Sequence, residues 1–220
     1  MRTETRGTNV TSGDGSASSC DTATATCSSA SRPWARYICF AVIAASGLIG
    51  DLWSKHAVFQ WLQPHHQHEV WSGSFLGIPV DFQFATTFNL GALWGMGQGQ
   101  TWLFASLSVL AVFVLVYFLY TGQAVESWWL TISSGLLLAG TLGNLYDRLG
   151  LHGHLDLNGR PIYGVRDFLD FVFFNGGFHW ATFNLADSYL VTGAILLVLQ
   201  SFTQPVAAPA TSLSATQSCP

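Results

Sequence analysis

The sequence predicts an all-α integral membrane protein, with four transmembrane helices carrying a small extracytoplasmic β-sheet. Three observations lead there. Half of the 220 residues are hydrophobic and only 9% are charged, whereas an ordinary soluble domain carries about a quarter charged residues. Residues 101–120 and 127–146 are two uncharged runs of twenty, each long enough to cross a hydrocarbon core that takes ~20 apolar residues as helix. Outside the runs, Val80-Asp-Phe-Gln-Phe84 alternates apolar and polar as a half-buried strand does, and Asn158-Gly159 is a tight-hairpin signal.

The elements follow in order. Residues 1–33 are rich in Ser, Thr, Ala and Gly, bury too little apolar surface to order, and are expected to be disordered. They lack the apolar h-region of a cleavable signal peptide. The membrane domain is expected over 34–203, with spans at about 37–54, 101–120, 127–146 and 183–202. The second and third spans are joined by a short polar loop with Gly122, Gln123 and Glu126, and Trp128 and Trp129 stand where an interfacial anchor belongs. A second disordered tail is expected over 204–220. Backbone groups in lipid must pair within their own segment, so the spans are helices. Small residues four apart (Gly91, Gly95, Gly99; Gly135, Ala139, Gly143) suit close helix packing.

Arg2, Arg6, Arg32 and Arg36 precede the first span, and Lys55, Arg148, Arg160 and Arg166 fall on the other side. The count is tied. Weighting the first flank places both termini in the cytoplasm and segments 56–100 and 147–182 outside. The net charge of −4 with scattered basic residues gives no footprint for nucleic acid. Cys20, Cys27, Cys39 and Cys219 form no CxxC pair and read as free thiols.

The polar residues in or beside the spans gather at one membrane face. Asp51 and Lys55 end the first span, and Asn89 precedes the second. Asn144, Asp147 and Arg148 end the third; Asn184 and Asp187 open the fourth. Ionisable groups at membrane depth are expensive and point to function. Singly, each has a structural reading. Asp51 and Lys55 are an i, i+4 pair, and Asn184 with Asp187 is a capping box. Eight such residues at one face are harder to explain that way.

No Ser or Cys nucleophile pattern and no HExxH is present. His65, His66 and His68, and His152 with His154, lack the fixed spacing of a metal site. Paired carboxylates remain: two close Asp share a proton, one activating water while the other polarises a carbonyl. The residues alone leave open which two of Asp51, Asp147, Asp167, Asp170 and Asp187 pair.

Several segments resemble the motifs of the bacterial lipoprotein signal peptidase (signal peptidase II) family. Asp51-Leu-Trp-Ser-Lys55 resembles D-x-x-[ST]-K, Phe88-Asn-Leu-Gly-Ala92 resembles F-N-x-G-A, and Gly143-Asn-Leu-Tyr-Asp-Arg148 resembles G-N-x-x-D-R. Val165-Arg-Asp-Phe168 and Phe183-Asn-Leu-Ala-Asp-Ser188 resemble V-x-D-F and F-N-x-A-D-S. The resemblance covers about 35–203 and implies an aspartyl endopeptidase of the bacterial inner membrane. Its substrates are prolipoproteins bearing a diacylglyceryl-modified cysteine, cut on that cysteine's N-terminal side at the extracytoplasmic face. It implies Asp167 and Asp187 as the catalytic pair. Asn89, Gly91, Asn144, Asp147, Arg148 and Asn184 would line the site, with Asp51 and Lys55 in support. Neither metal nor cofactor is expected, and a monomer is. The chain departs from the family in a longer stretch between Asp147 and Asp167 and in Leu93-Trp94 where Ala-Phe is usual.

Two other classes compete. A small membrane transporter or metal-handling protein predicts polar residues spread through the bilayer depth. A presenilin-like protease would use Tyr146-Asp147, but its partner G-x-G-D is missing.

Overall fold

The computed structural model describes residues 33–91, 97 and 99–203. The expected disordered tails, except for Pro33, which opens α1, lie outside the described residues, as do three of the four cysteines, Gly95 and the Leu93-Trp94 departure. Four long helices stand in chain order: α1 (Pro33–Leu62), α2 (Thr101–Tyr120), α3 (Trp128–Arg148) and α4 (Leu185–Thr203). Four strands accompany them: β1 (Gln67–Phe75), β2 (Ile78–Asn89), β3 (Val165–Phe173) and β4 (Phe178–His179), paired antiparallel in the order β1-β2-β3-β4.

The fold is therefore mixed helix and sheet, and the all-α expectation is corrected. Val80–Phe84 lies inside β2, but the sheet also takes 165–173, where Arg and two Asp interrupt an otherwise apolar strand. Phe82 stacks on Phe171 at 4.9 Å, the kind of cross-strand aromatic pair that stabilises a sheet.

Helix boundaries also move. α1 has 30 residues, about 45 Å at the α-helical rise, which exceeds a ~30 Å hydrocarbon core. Asp51 and Lys55 thus lie well inside α1 rather than at its end. The third helix runs two residues past the expected 146. The fourth begins at Leu185, because Phe183 is held in a bridge with Leu169 of β3.

α1, α2 and α4 are long and apolar enough to cross a membrane. α3 is the central helix and reads differently. Its buried face carries Thr131, Ser133, Ser134, Thr141 and Asn144. Thr131, Ser133 and Thr141 return their hydroxyl donors to carbonyls four residues back at 2.7–2.9 Å, so these hydroxyls need no water. Gly135, Gly143, Gly140 and Gly193 mark the close approaches: a Cβ on Gly143 would collide with the Asp51 carboxylate. Gly91 and Gly99 are not helical, so the helix-packing expectation does not hold for these two; Gly99 has φ +82°.

The two ends of the bundle differ. At one, Arg36 donates to the carbonyls of Val125 and Glu126, and Gln200 donates to Ser127 Oγ at 3.0 Å. At the other stands the sheet. The long stretch between α3 and β3 folds back there. Asp156 Oδ1 accepts from the backbone of Asn158 and Arg160, closing the Asn158-Gly159 turn. His152 and His154 lay their rings against Phe88 at 5.7 and 5.4 Å. Burial pushes both imidazoles down, His152 to about 4, so they pack as neutral rings near pH 7.

Candidate active site

The β2–β3 register sets Thr87 opposite Asp167 and Asn89 opposite Val165, which brings the Asn89 amide to Asp167. Asn89 Nδ2 donates to Asp167 Oδ2 at 3.0 Å, and Asn89 Oδ1 accepts from the Gly91 N–H at 3.0 Å. The loop entering α2 is thereby tied to the carboxylate.

The start of α4 supplies the second acid. Asn184 Oδ1 accepts from the Asp187 N–H at 3.1 Å, and Asp187 Oδ2 accepts from the Asn184 N–H at 3.2 Å. This reciprocal pairing satisfies two donors that a helix start leaves unpaired. The remaining donor group of Asn184, Nδ2, reaches Asp167 Oδ1 at 2.6 Å. One residue thus orients both carboxylates.

Asn144 completes the frame. Its Nδ2 donates to Asp187 Oδ1 at 2.7 Å, while its Oδ1 accepts from Lys55 Nζ at 3.1 Å and Asn184 Nδ2 at 3.3 Å. Lys55 is fully buried and also pairs with Asp51 at 2.8 Å and Asp147 at 3.1 Å. Asp147 takes a second cation, Arg166, through Nε and Nη2 at 3.0 and 2.8 Å, and the Arg166 N–H at 3.0 Å. Asp51 Oδ1 accepts from the Ala186 N–H at 2.9 Å, joining α1 to the start of α4.

These contacts sort the five candidate acids. Asp51 and Asp147 are compensated by Lys55 and Arg166. Asp170 faces Gln83, which donates to it at 2.5 Å. Asp167 and Asp187 make no ion pair among the described residues and are the two acids held by one shared residue, Asn184. Burial, with the charge of Asp187 second, pushes Asp167 up to about 8; the donors Asn89 and Asn184 and the charge of Lys55 pull the other way. The direction of this shift favours the protonated carboxyl at Asp167.

Arg148 stands at the mouth. Its guanidinium lies over Phe104 at 5.5 Å, its Nη2 approaches the Gly91 carbonyl at 3.5 Å, and its charge acts on Asp187 and Asp167. Every site residue expected from the sequence therefore belongs to one network or its rim. The sequence reading missed Arg166, counted only as a topological charge, and Gln83. Period-two alternation was the available signal for Arg166, since it turns that side chain away from Asp167 and towards α3. Among the described residues no three His, Cys, Asp or Glu side chains gather as a metal site would.

The chain resembles known proteins over most of its length. Residues 43–203 match the family described as Signal peptidase (SPase) II. A lipoprotein signal peptidase of Rhodopirellula baltica is 40% identical over 174 residues, 79% of this chain and 75% of that protein. One of Alteromonas mediterranea is 32% identical over 167 residues, 74% of this chain and 80% of that protein. A solved bacterial membrane enzyme superposes with a TM-score of 0.57 at 25% identity, covering 82% of this chain and 94% of that one. The transporter and metal-handling alternative is not favoured. Matched over most of its length, the chain is a multi-pass membrane protein and a peptidase, and it belongs to the signal peptidase II family.

Proposed function

We propose that this protein is an aspartyl endopeptidase that removes the signal peptide from diacylglyceryl-modified prolipoproteins, cutting N-terminal to the lipidated cysteine. The observation that carries the reading is the single Asn184 side chain and backbone holding Asp167 and Asp187 together, with Asp167 raised to about 8.

In the proposed reaction Asp187 takes a proton from water as the hydroxyl oxygen bonds to the scissile carbonyl carbon. Asp167 gives its proton to the carbonyl oxygen, forming a gem-diol. As the C–N bond breaks, the leaving nitrogen receives the proton from Asp187, and Asp167 recovers its own from the diol. Asp187 stands in the first turn of α4, where it accepts the Asn184 N–H and the Asn144 amide. Holding the acyl chains in the bilayer fixes the carbonyl over the pair and removes entropy from the barrier. No metal or cofactor enters any step.

In this reading α3 is the fourth span. The hydroxyls of Thr131, Ser133 and Thr141 are internally bonded, and α3 is shielded by α1, α2 and α4. The sheet and the acids lie at the extracytoplasmic face of the bacterial inner membrane, and both termini are cytoplasmic. The working unit is a monomer. The test is incubation of the purified enzyme with a diacylglyceryl-modified prolipoprotein beside its unlipidated form. The reading expects cleavage of the lipidated form alone, insensitive to EDTA. Equal cleavage of both, or loss of cleavage in EDTA, would overturn it.

A further inference from the structure

A cleft of about 890 Å³ runs between α2 and α4 with α3 as its floor. Leu110 and Val114 of α2, Leu130 and Leu137 of α3, and Leu190 and Leu197 of α4 line it. Its ends differ chemically. One end closes on Thr141 and Leu190, about one helical turn from Asn144 and Asp187. The other closes on Gln123 and Glu126, at the α2–α3 turn. Among the described residues Glu126 is the only acid at that end of the bundle. The neighbouring Arg36 directs its guanidinium to the carbonyls of Val125 and Glu126 and over Trp128 at 5.7 Å.

The mechanism leaves this cleft unused, yet its length is informative. Ser127, the cap of α3, and Asn144, which holds Asp187, are seventeen residues apart, about 25 Å along a helix. A secretory signal has an apolar h-region of about 7–15 residues behind a positively charged n-region. Laid helically in the cleft with its cut end at Asp187, such a segment brings its n-region to Glu126. An apolar channel of this length, ending in one carboxylate, is complementary to that order of apolar and basic residues.

We infer that the α2–α4 cleft seats the substrate's h-region and that Glu126 is a specificity-determining residue for its cationic n-region. The inference rests on the proposed function. Glu126 acts at a distance from the reacting bond, so it sets KM and leaves kcat alone. The interaction is an exposed charge pair, modest in size and screened by salt.

The test uses the full chain in lipid nanodiscs and two diacylglyceryl-modified prolipoproteins, one with a Lys-rich n-region and one with those Lys replaced by Glu. Glu126→Lys is expected to raise KM for the basic substrate about threefold to tenfold, the size of one or two exposed ion pairs. It is expected to lower KM for the acidic substrate, with kcat unchanged and the differences shrinking at high salt. Glu126→Gln, which conserves shape, is expected to move KM in the same direction by less. A photo-crosslinking residue at Leu110 is expected to capture the h-region. Equal KM changes for both substrates, no change for either, or capture of lipid alone would overturn the inference. If the unaltered enzyme cleaves neither substrate, the proposed function falls and this inference with it. If it cleaves both and the charge swap is silent, only this inference falls.

Discussion

Asn184 Nδ2 lies 2.6 Å from Asp167 Oδ1, and the same residue's backbone N–H lies 3.2 Å from Asp187 Oδ2. The residue is therefore both a helix cap and the link between two acids from different elements. Asn184→Ser separates the two roles. Serine still caps α4 well, but it is too short to reach Asp167. Cleavage is expected to fall about 100-fold, the effect of a displaced reacting group, with little change in thermal midpoint. A large loss of stability with turnover retained per folded molecule would show that capping is the main role.

The raised Asp167 predicts a pH profile. With its carboxyl pushed up to about 8 by burial and by Asp187, kcat/KM is expected to fall with a one-proton slope as pH rises through that value. Stability follows the same sign. The fold favours the protonated form, so this contribution is complete below the ordinary carboxylate value of ~4 and is lost as pH rises through about 8. Thermal midpoints of the native enzyme should decline over that window, and Asp167→Asn should flatten the decline.

Lys55 has no exposure and serves Asp51, Asp147 and Asn144 at 2.8, 3.1 and 3.1 Å. Lys55→Met leaves one buried carboxylate uncompensated and weakens the hold on Asn144. Removing one partner of a buried pair costs about 3–5 kcal/mol, so the variant should unfold at markedly lower temperature or denaturant. Lys55→Met combined with Asp51→Asn should recover part of the loss, which denaturation of the two variants side by side would read.

Gly143 faces Asp51 and Ala186 with no room for a methyl group. Gly143→Ala is expected to destabilise by about 1–3 kcal/mol, the range for overpacking a close-packed interior. It should also lower activity, because the Asp51 contact to the Ala186 N–H helps fix the start of α4. Melting and turnover of this variant, beside an alanine substitution at Gly50, where an added methyl group meets only the Tyr189 hydroxyl at 3.5 Å, would check the local origin of the effect.

The helices were the most legible part of the sequence, because α2 and the interior of α3 are uncharged runs whose length alone speaks. The extent of the sheet was not, because β3 carries Arg166, Asp167 and Asp170 among its apolar residues and reads as a motif rather than a strand. The length of α1 was obscured by Asp51 and Lys55, whose charges look like a helix end until Asp147 on α3 is seen to share them. The gathering of polar residues at one face was readable from their positions along the spans. Their partners were not. The compensation of Asp147 depends on Lys55 and Arg166 reaching it from other elements, 92 and 19 residues away in sequence, and no local pattern encodes that.

The central claim is that Asp167 and Asp187 act as one proton-sharing pair. It is tested most directly by cleavage of a diacylglyceryl-modified prolipoprotein with purified Asp167→Asn and Asp187→Asn. Each is nearly isosteric and still membrane-inserted. The account predicts no detectable product from either variant, while thermal unfolding shows both folded. Substantial product from either folded variant would contradict it.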